Sequence, residues 1–368
     1  MFIDNKGDPM VAAQELKAIT DAESLPPSEP SPYISNGLEN DLANLHLQDD
    51  SSSSFISVRT SSAPGLQNGK GVFATRDIQK GDLVLSEKPI FSIPNSAIGP
   101  RRQTAIEAAV RKLSPTHLDN YLSLHNSHNK CSCSFRPLPG IFNTNVFGVS
   151  DSGVPSGGIC LKASRFNHSC SPNARFTFNS NTGDLRIYAL CTIPCGEELF
   201  VGYIDHSLLG KPLYGSPRRT RQAALRHHLH FTCECSACSL SEAEVEMSDA
   251  RRQRIYEVMQ SFRGLTLDRI SSQGVQILHD IVEAVHLLQE EGYWSDKDDF
   301  TEEAGPICAF HSDWVSSSYW ADLTYNSRVA EFGEDSSQVA EVSKQYLNPK
   351  SFATAGLGPP KDLTGIRV

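Results

Sequence analysis

Arg165-Phe166-Asn167-His168-Ser169-Cys170-Ser171-Pro172-Asn173 sets two amides, an imidazole, a thiol and two hydroxyls within nine residues. An isolated Asn-His pair of this kind reads as a turn whose polar groups are satisfied locally. This one has company. Thirty residues on comes Gly196-Glu197-Glu198-Leu199-Phe200-Val201-Gly202-Tyr203-Ile204-Asp205, a strand-like run opened by a glycine turn. A basic helical segment, Thr220 to Leu229, then leads into Phe231-Thr232-Cys233-Glu234-Cys235-Ser236-Ala237-Cys238. Upstream lies Gly69-Lys70-Gly71-Val72-Phe73-Ala74.

The cysteine trio carries chemistry of its own. Cys233, Cys235 and Cys238 offer three thiolates on one tight turn, and three so close seldom occur without a metal. Zinc takes four tetrahedral ligands, with sulfur at about 2.3 Å, so a fourth must come from elsewhere. The neighbouring His227, His228 and His230 are candidates.

Around these blocks the pattern is β-rich from about Phe55 to Asp205. Short apolar runs at Phe55–Val58, Val72–Ala74, Leu83–Leu85, Ile90–Ile93, Phe176–Phe178, Leu185–Ala189 and Glu198–Tyr203 are separated by glycine turns. Thr104 to Lys112 reads as a short helix, and Ser123 to Asp151, rich in His, Asn, Pro and Gly, as mostly loop. The remainder is helical by periodicity, at Ser248–Phe262, Val275–Leu288, Trp314–Phe332 and Gln338–Tyr346. Residues 1–54, with a Pro/Ser run and few aromatics, read as a disordered, solubilising tail.

Composition bounds the function. The chain has 368 residues, 39% of them hydrophobic, enough to bury a sizeable core in two or three domains. No run approaches 18 apolar residues, the shortest that suggests a membrane span. Met1–Met10 lacks the apolar stretch of a secretory signal. A nuclear or cytoplasmic location is expected, where ten cysteines read as metal ligands, catalytic groups or core residues rather than disulfides. The net charge of −10 is uneven. Residues 1–54 hold ten acidic and two basic residues, 55–239 eleven and twenty, and 240–368 twenty-two and eleven. The overall acidity argues against general nucleic-acid binding, while the basic centre leaves room for a local anionic partner.

In this order and spacing, the four blocks closely resemble the SET domain of protein lysine methyltransferases, over roughly Phe55 to Ser239. The resemblance implies an α+β architecture: a SET domain over 55–206 with a knot-like crossing, a zinc-bound post-SET segment over 207–240, and a helical C-terminal region over 241–368. It implies S-adenosylmethionine (AdoMet) as cosubstrate and a structural zinc. Cys170 then becomes the fourth ligand beside Cys233, Cys235 and Cys238. Asn167 and His168 would contact AdoMet, Lys70 and Gly71 its methionine end through backbone, and Phe231 the adenine. Asn145, in Thr144-Asn145-Val146-Phe147, resembles a cofactor-contacting Asn-x-Phe element of the SET-and-MYND subgroup. Tyr203 would be the active-site tyrosine, with Glu198 and Asp205 as structural partners.

The sequence departs from that subgroup in one respect. Pro94 to Lys130 contains no cysteine, so the MYND zinc module is absent. Cys131, Cys133, His125 and His128 can be drawn as a second metal site, but an irregular loop is the preferred reading. The expected function is therefore methyl transfer to a protein lysine, histone or otherwise, by a monomer. Two alternatives are a catalytically silent SET-fold adaptor and an AdoMet-binding protein acting on a small molecule. Val201, two before Tyr203, has neither bulk nor hydroxyl, which in this family points beyond monomethylation.

Overall fold

The computed structural model describes residues 55–61, 69–130, 137–204 and 206–368. The expected tail over 1–54, together with Cys131, Cys133 and Asp205, lies outside the described residues.

Three small sheets carry the N-terminal part. The first has the order β1 (Ile56–Thr60), β2 (Lys70–Ala74), β10 (Glu198–Val201), β7 (Asn167–His168). The second is β3 (Leu83–Glu87), β9 (Asp184–Ala189), β8 (Ala174–Asn179), and the third β4 (Phe91–Pro94), β6 (Val154–Ile159), β5 (Val146–Asp151). Among the described residues every strand pairing is antiparallel except one. The two-residue β7 runs parallel to β10, with Asn167 opposite Phe200 and Val201 opposite His168. A parallel pair cannot be closed by a hairpin turn. Here the β8–β9 hairpin supplies the excursion between the two strands.

Between Pro94 and Val146 the chain forms α1 (Gly99–Val110), α2 (Pro115–Leu122) and α3 (Pro137–Asn145). Their apolar faces meet around Ile106, Tyr121 and Phe142, all fully buried against Ile159 of β6. The loop expected over Ser123–Asp151 is corrected by α3 and β5. Pro137 and Pro139 fall in the first turn of α3, where a missing N–H costs no helical hydrogen bond. Prolines and glycines that read as loop thus serve as a helix start.

A short α4 (His206–Leu209) and α5 (Arg218–Leu229) follow the strands, and α5 stops at His230, which adopts the left-handed conformation at φ 57°. Five helices complete the chain: α6 (Glu242–Ser261), α7 (Leu267–Glu290), α8 (Asp298–Phe310), α9 (Trp314–Phe332) and α10 (Ser337–Leu347). Ser241 and Glu244 form a reciprocal capping box at the start of α6, and Thr266, Asp313 and Ser336 cap the starts of α7, α9 and α10. The periodicity reading located α6, α7, α9 and α10 but missed α8. That helix carries Pro306 in its interior and is buried along most of its length, with its exposed polar residues Asp299 and Glu302 confined to its first half, so a helical period is weak in its sequence.

The helices dock on the β8–β9 hairpin through polar clamps. Arg175 pairs with Asp296 and with Glu331 at 3.0 Å, and its guanidinium lies 4.6 Å from the centre of the Phe332 ring. Arg186 grips Asp335 with both terminal nitrogens. Closer to β7, Ser171 Oγ donates to the Glu291 carbonyl at 2.9 Å, and the fully buried Arg252 reaches Glu291 at 2.8 Å.

Candidate active site and cysteine cluster

The parallel pairing of β7 with β10 decides what meets at the site. It aligns His168 with Val201, so the chain leaving β10 passes directly over the imidazole. The Tyr203 N–H donates to His168 Nδ1 at 3.0 Å, and the rings lie 5.3 Å apart. The Tyr203 hydroxyl donates to the Phe166 carbonyl at 2.5 Å. Phe231, in the loop after α5, closes the third side, 6.2 Å from His168 and 6.5 Å from Tyr203 between ring centres. Tyr203 lies just beyond the end of β10, where backbone free of ladder pairing can turn over the histidine.

Burial sets the protonation states. It drives His168 down to about 4, so the ring is neutral at physiological pH. Because Nδ1 accepts from the Tyr203 N–H, the neutral ring carries its proton on Nε2. That nitrogen lies 3.4 Å from Cys170 Sγ, placed to donate to the sulfur. Burial, then the Glu198 carboxylate, push the Tyr203 phenol above its ordinary value. The phenol stays protonated at neutral pH and orients rather than removes protons.

Below this constellation sits a carboxylate clamp. Asn167 Nδ2 donates to Glu198 Oε1 at 2.7 Å and to the Lys70 carbonyl at 3.0 Å, and Ser61 Oγ donates to Glu198 Oε2 at 2.7 Å. A Cβ on Gly71 would stand 2.1 Å from Glu198 Oε1 and 3.1 Å from Asn167 Nδ2. The glycine is thus required by an internal carboxylate. Lys70 and Gly71 themselves belong to β2 rather than to the turn the sequence suggested. Asn173 ties the same strand, donating to the Glu198 carbonyl at 2.9 Å and accepting from the Phe200 N–H at 2.7 Å. Asn145 stands apart from the ring cluster. Its amide donates to the His125 and Ile141 carbonyls at 2.7 Å, and its own carbonyl receives Ser164 Oγ in the turn before Phe166.

Cys170, Cys233, Cys235 and Cys238 converge, with all four Sγ atoms within 4.8 Å of one another. The Cys170–Cys238 and Cys170–Cys233 separations are 3.6 and 4.0 Å. A disulfide would need about 2.05 Å. Sulfurs about 2.3 Å from a tetrahedral ion lie about 3.8 Å apart, so the spacing fits a four-thiolate metal site. Hydrogen bonds from Cys170 and Cys233 hold Cys235 and Cys238 below the ordinary thiol value. Arg221, fully buried, extends Nη2 to Cys238 Sγ at 3.9 Å. Burial works against its charge, and the Cys170 and Cys238 sulfurs outweigh that cost. The histidines offered as fourth ligands are elsewhere: His230 Nε2 meets His128 Nδ1 at 3.2 Å, and His227 and His228 pack on each other.

Two participants escaped the sequence reading, namely the Phe166 carbonyl and Arg221. A backbone carbonyl leaves no signal in sequence. Arg221 left only a weak one, an arginine four residues before the buried Leu225 on the same helix face.

Residues 69–204 match the SET domain. The chain carries a SET domain. The matched segment begins just before β2 and ends one residue after Tyr203, so it includes β2, the parallel pair of β7 with β10, and the Asn167–Glu198 contact, while β1 and Ser61 lie before it. Histone-lysine N-methyltransferase set5 of Schizosaccharomyces pombe is 27% identical over 289 residues, which cover 78% of this chain and 83% of that protein. N-lysine methyltransferase SMYD2 of Homo sapiens is 27% identical over 187 residues, covering 47% of this chain and 41% of that protein. Histone-lysine N-methyltransferase SET5 of Vanderwaltozyma polyspora is 40% identical over 75 residues, 20% of this chain and 13% of that one. The similarity to set5 extends well beyond the SET domain. The chain spans less than half of each of the other two relatives. No helix among the described residues is long and apolar enough to cross a membrane.

Proposed function

We propose that the protein is an AdoMet-dependent lysine methyltransferase acting on a protein substrate, histone or non-histone. One observation carries the reading: a protonated tyrosine hydroxyl, fixed on a backbone carbonyl, lies beside a neutral buried histidine and a phenyl ring at the end of the SET strand β10. AdoMet supplies a methyl group on a sulfonium, which the lone pair of an amine takes by in-line displacement.

The chain's own part is to bind and orient. A lysine amine has an ordinary pKa near 10.4, and burial among apolar groups favours its neutral form. Tyr203 and the Phe166 carbonyl would hold that amine in line, and fixing reactants in this way is worth several powers of ten in rate. Asn167, His168, the backbone of Lys70 and Gly71, and the ring of Phe231 would hold AdoMet. Asn145 would reach it through the turn that contains Ser164. Cys170, Cys233, Cys235 and Cys238 would hold one structural zinc with no open position, pinning a post-SET segment, residues 207–240, beside His168. Residues 55–206 and 241–368 would then be the SET domain and a helical region shaping the substrate side.

The test is to incubate purified protein with radiolabelled AdoMet and core histones or total cell extract, with and without Tyr203→Phe. Label on a protein lysine that depends on Tyr203 is the expected result. AdoMet binding with no labelled protein under any condition would point instead to a silent SET-fold adaptor, and label on a small molecule to a different substrate class.

A further inference from the structure

A cavity of about 290 Å³ lies at the seam between the SET domain and the C-terminal helices, and none of its lining residues belongs to the Tyr203 constellation. Lys80 and Leu190 line it from the SET side, and Leu288, Gln289, Trp294 and Lys297 from the helical side. Its volume is just below the usual range for small-molecule sites, about 300–1,000 Å³.

Its charge is out of keeping with its surroundings. Residues 240–368 have twice as many acidic as basic side chains, yet among the described residues neither Lys80 nor Lys297 forms an ion pair. The carboxylates nearest in sequence are committed elsewhere. Asp296 pairs with Arg175 and accepts from the Tyr293 hydroxyl, Asp298 pairs with Arg328 at 2.9 Å, and Asp299 accepts from the Tyr214 hydroxyl at 2.9 Å. On the other wall Asp82 accepts from the Gln79 N–H and Asp77 from the Cys195 N–H, while Glu197 and Lys80 act with opposite sign on Cys191 of the lining. Burial, then the charge of Lys80, lower the pKa of Lys297. Beside them lie the apolar surfaces of Leu190 and Leu288 and an indole, Trp294, that leaves 41% of its surface exposed.

We propose that this cavity binds a small phosphomonoester with a flat apolar body, its phosphate between Lys80 and Lys297 and its body against Trp294, Leu190 and Leu288. A phosphomonoester brings close to two negative charges and three acceptor oxygens, which match two ammonium groups and the Gln289 amide. A single carboxylate would neutralise only one of the two lysines. Because the walls come from both parts of the chain, the ligand bridges them, and occupancy stabilises the folded protein in proportion to the logarithm of its concentration.

The probe is 1-naphthyl phosphate, added to the full chain and followed by tryptophan fluorescence and by thermal unfolding. Saturable quenching and a raised unfolding temperature are expected. Lys297→Met and Lys80→Met should each weaken binding by about tenfold or more. Lys297→Arg should restore most of it, and Trp294→Phe should abolish the quench while leaving the thermal shift. Inorganic phosphate and 1-naphthol should each bind at least about tenfold more weakly than the joined molecule. The assignment is overturned if no saturable binding is seen at millimolar probe. It also falls if 1-naphthol binds as tightly as its phosphate, or if both lysine-to-methionine variants, folded by the thermal criterion, bind as the parent does.

Discussion

The hydroxyl of Tyr203 donates to the Phe166 carbonyl, and its phenol is held protonated. Replacing it with phenylalanine removes an orienting group and little volume. Tyr203→Phe should therefore keep AdoMet binding, measured by calorimetry, and lower turnover by on the order of a hundredfold or more. Equal turnover in the two proteins would remove Tyr203 from the mechanism. Gly71 makes an independent prediction. Its absent Cβ leaves room for the Glu198 carboxylate, so Gly71→Ala must push Glu198 off Asn167. A loss of about 1–3 kcal/mol in denaturant unfolding is expected, the usual cost of an overpacked site. Glu198→Ala in the Gly71→Ala background should recover part of it; additive losses would show that the two sites are not in contact. Val201 is 1% exposed and packs in the strand core, with Tyr203 against that cluster. Val201→Tyr therefore tests packing as much as product state. Mass spectrometry of the wild-type product is the cleaner measurement, with di- or trimethyl-lysine expected.

Short elements here are held by what they join. Two-residue β7 has too few ladder bonds to persist alone, and the Asn167 amide, bonded to Lys70 and Glu198, fixes it across the sheet. The segment after α5 meets the chain after β7 through its own three sulfurs and that of Cys170. Cys235→Ser should release about one zinc per chain, read by metal analysis, and loosen the Phe231 side of the site, because metal-binding free energy in such sites is folding free energy. Undiminished zinc in a variant lacking all four cysteines would place the metal elsewhere. On the far side, Arg175 is the counter-charge for Glu331, which is 2% exposed, and for Asp296. Arg175→Ala leaves those acids unpaired and should destabilise the docking of α9 by about 2–3 kcal/mol. That is below the figure for a fully buried pair because Arg175 keeps 27% of its side-chain surface exposed.

For the molecule as a whole, the docked interface predicts an unusual pH dependence. Burial raises Glu331, 1% exposed as a whole residue, to about 7. In the unfolded chain its carboxyl loses its proton near the ordinary value, about 4. Between those two values the folded state binds more protons than the unfolded state. Stability from this group is therefore fully present at low pH and lost as pH rises through 7. Denaturant midpoints should fall from about pH 6 to about pH 8, and Glu331→Gln, which does not titrate, should flatten the fall. Midpoints that rise over this range in the wild type, with no change in slope in the variant, would contradict the charge assignment.

Much of the site could be read in the sequence because its chemistry is carried by side-chain type at fixed spacing. The Asn-His-Ser-Cys block, the Cys-x-Cys-x2-Cys trio and Tyr203 are such signals, and so are the apolar periods of α6, α7 and α9. Convergence of Cys170 on three cysteines more than 60 residues away was implied only by resemblance, since no local rule links them. Other features depended on contacts between distant segments. The proline-led α3 looked like loop, α8 carries an interior proline and is buried along most of its length, and the Glu198 that forbids a side chain at Gly71 lies 127 positions along the chain. The Lys80–Lys297 cavity belongs to the same class. Each lysine is unremarkable in its own segment, and only the docking of the helices on the SET domain puts both in the lining of one cavity. Local sequence determines which groups are available and which backbone periods they favour. Tertiary packing decides which of them meet, because burial and charge pairing depend on what the rest of the chain places nearby.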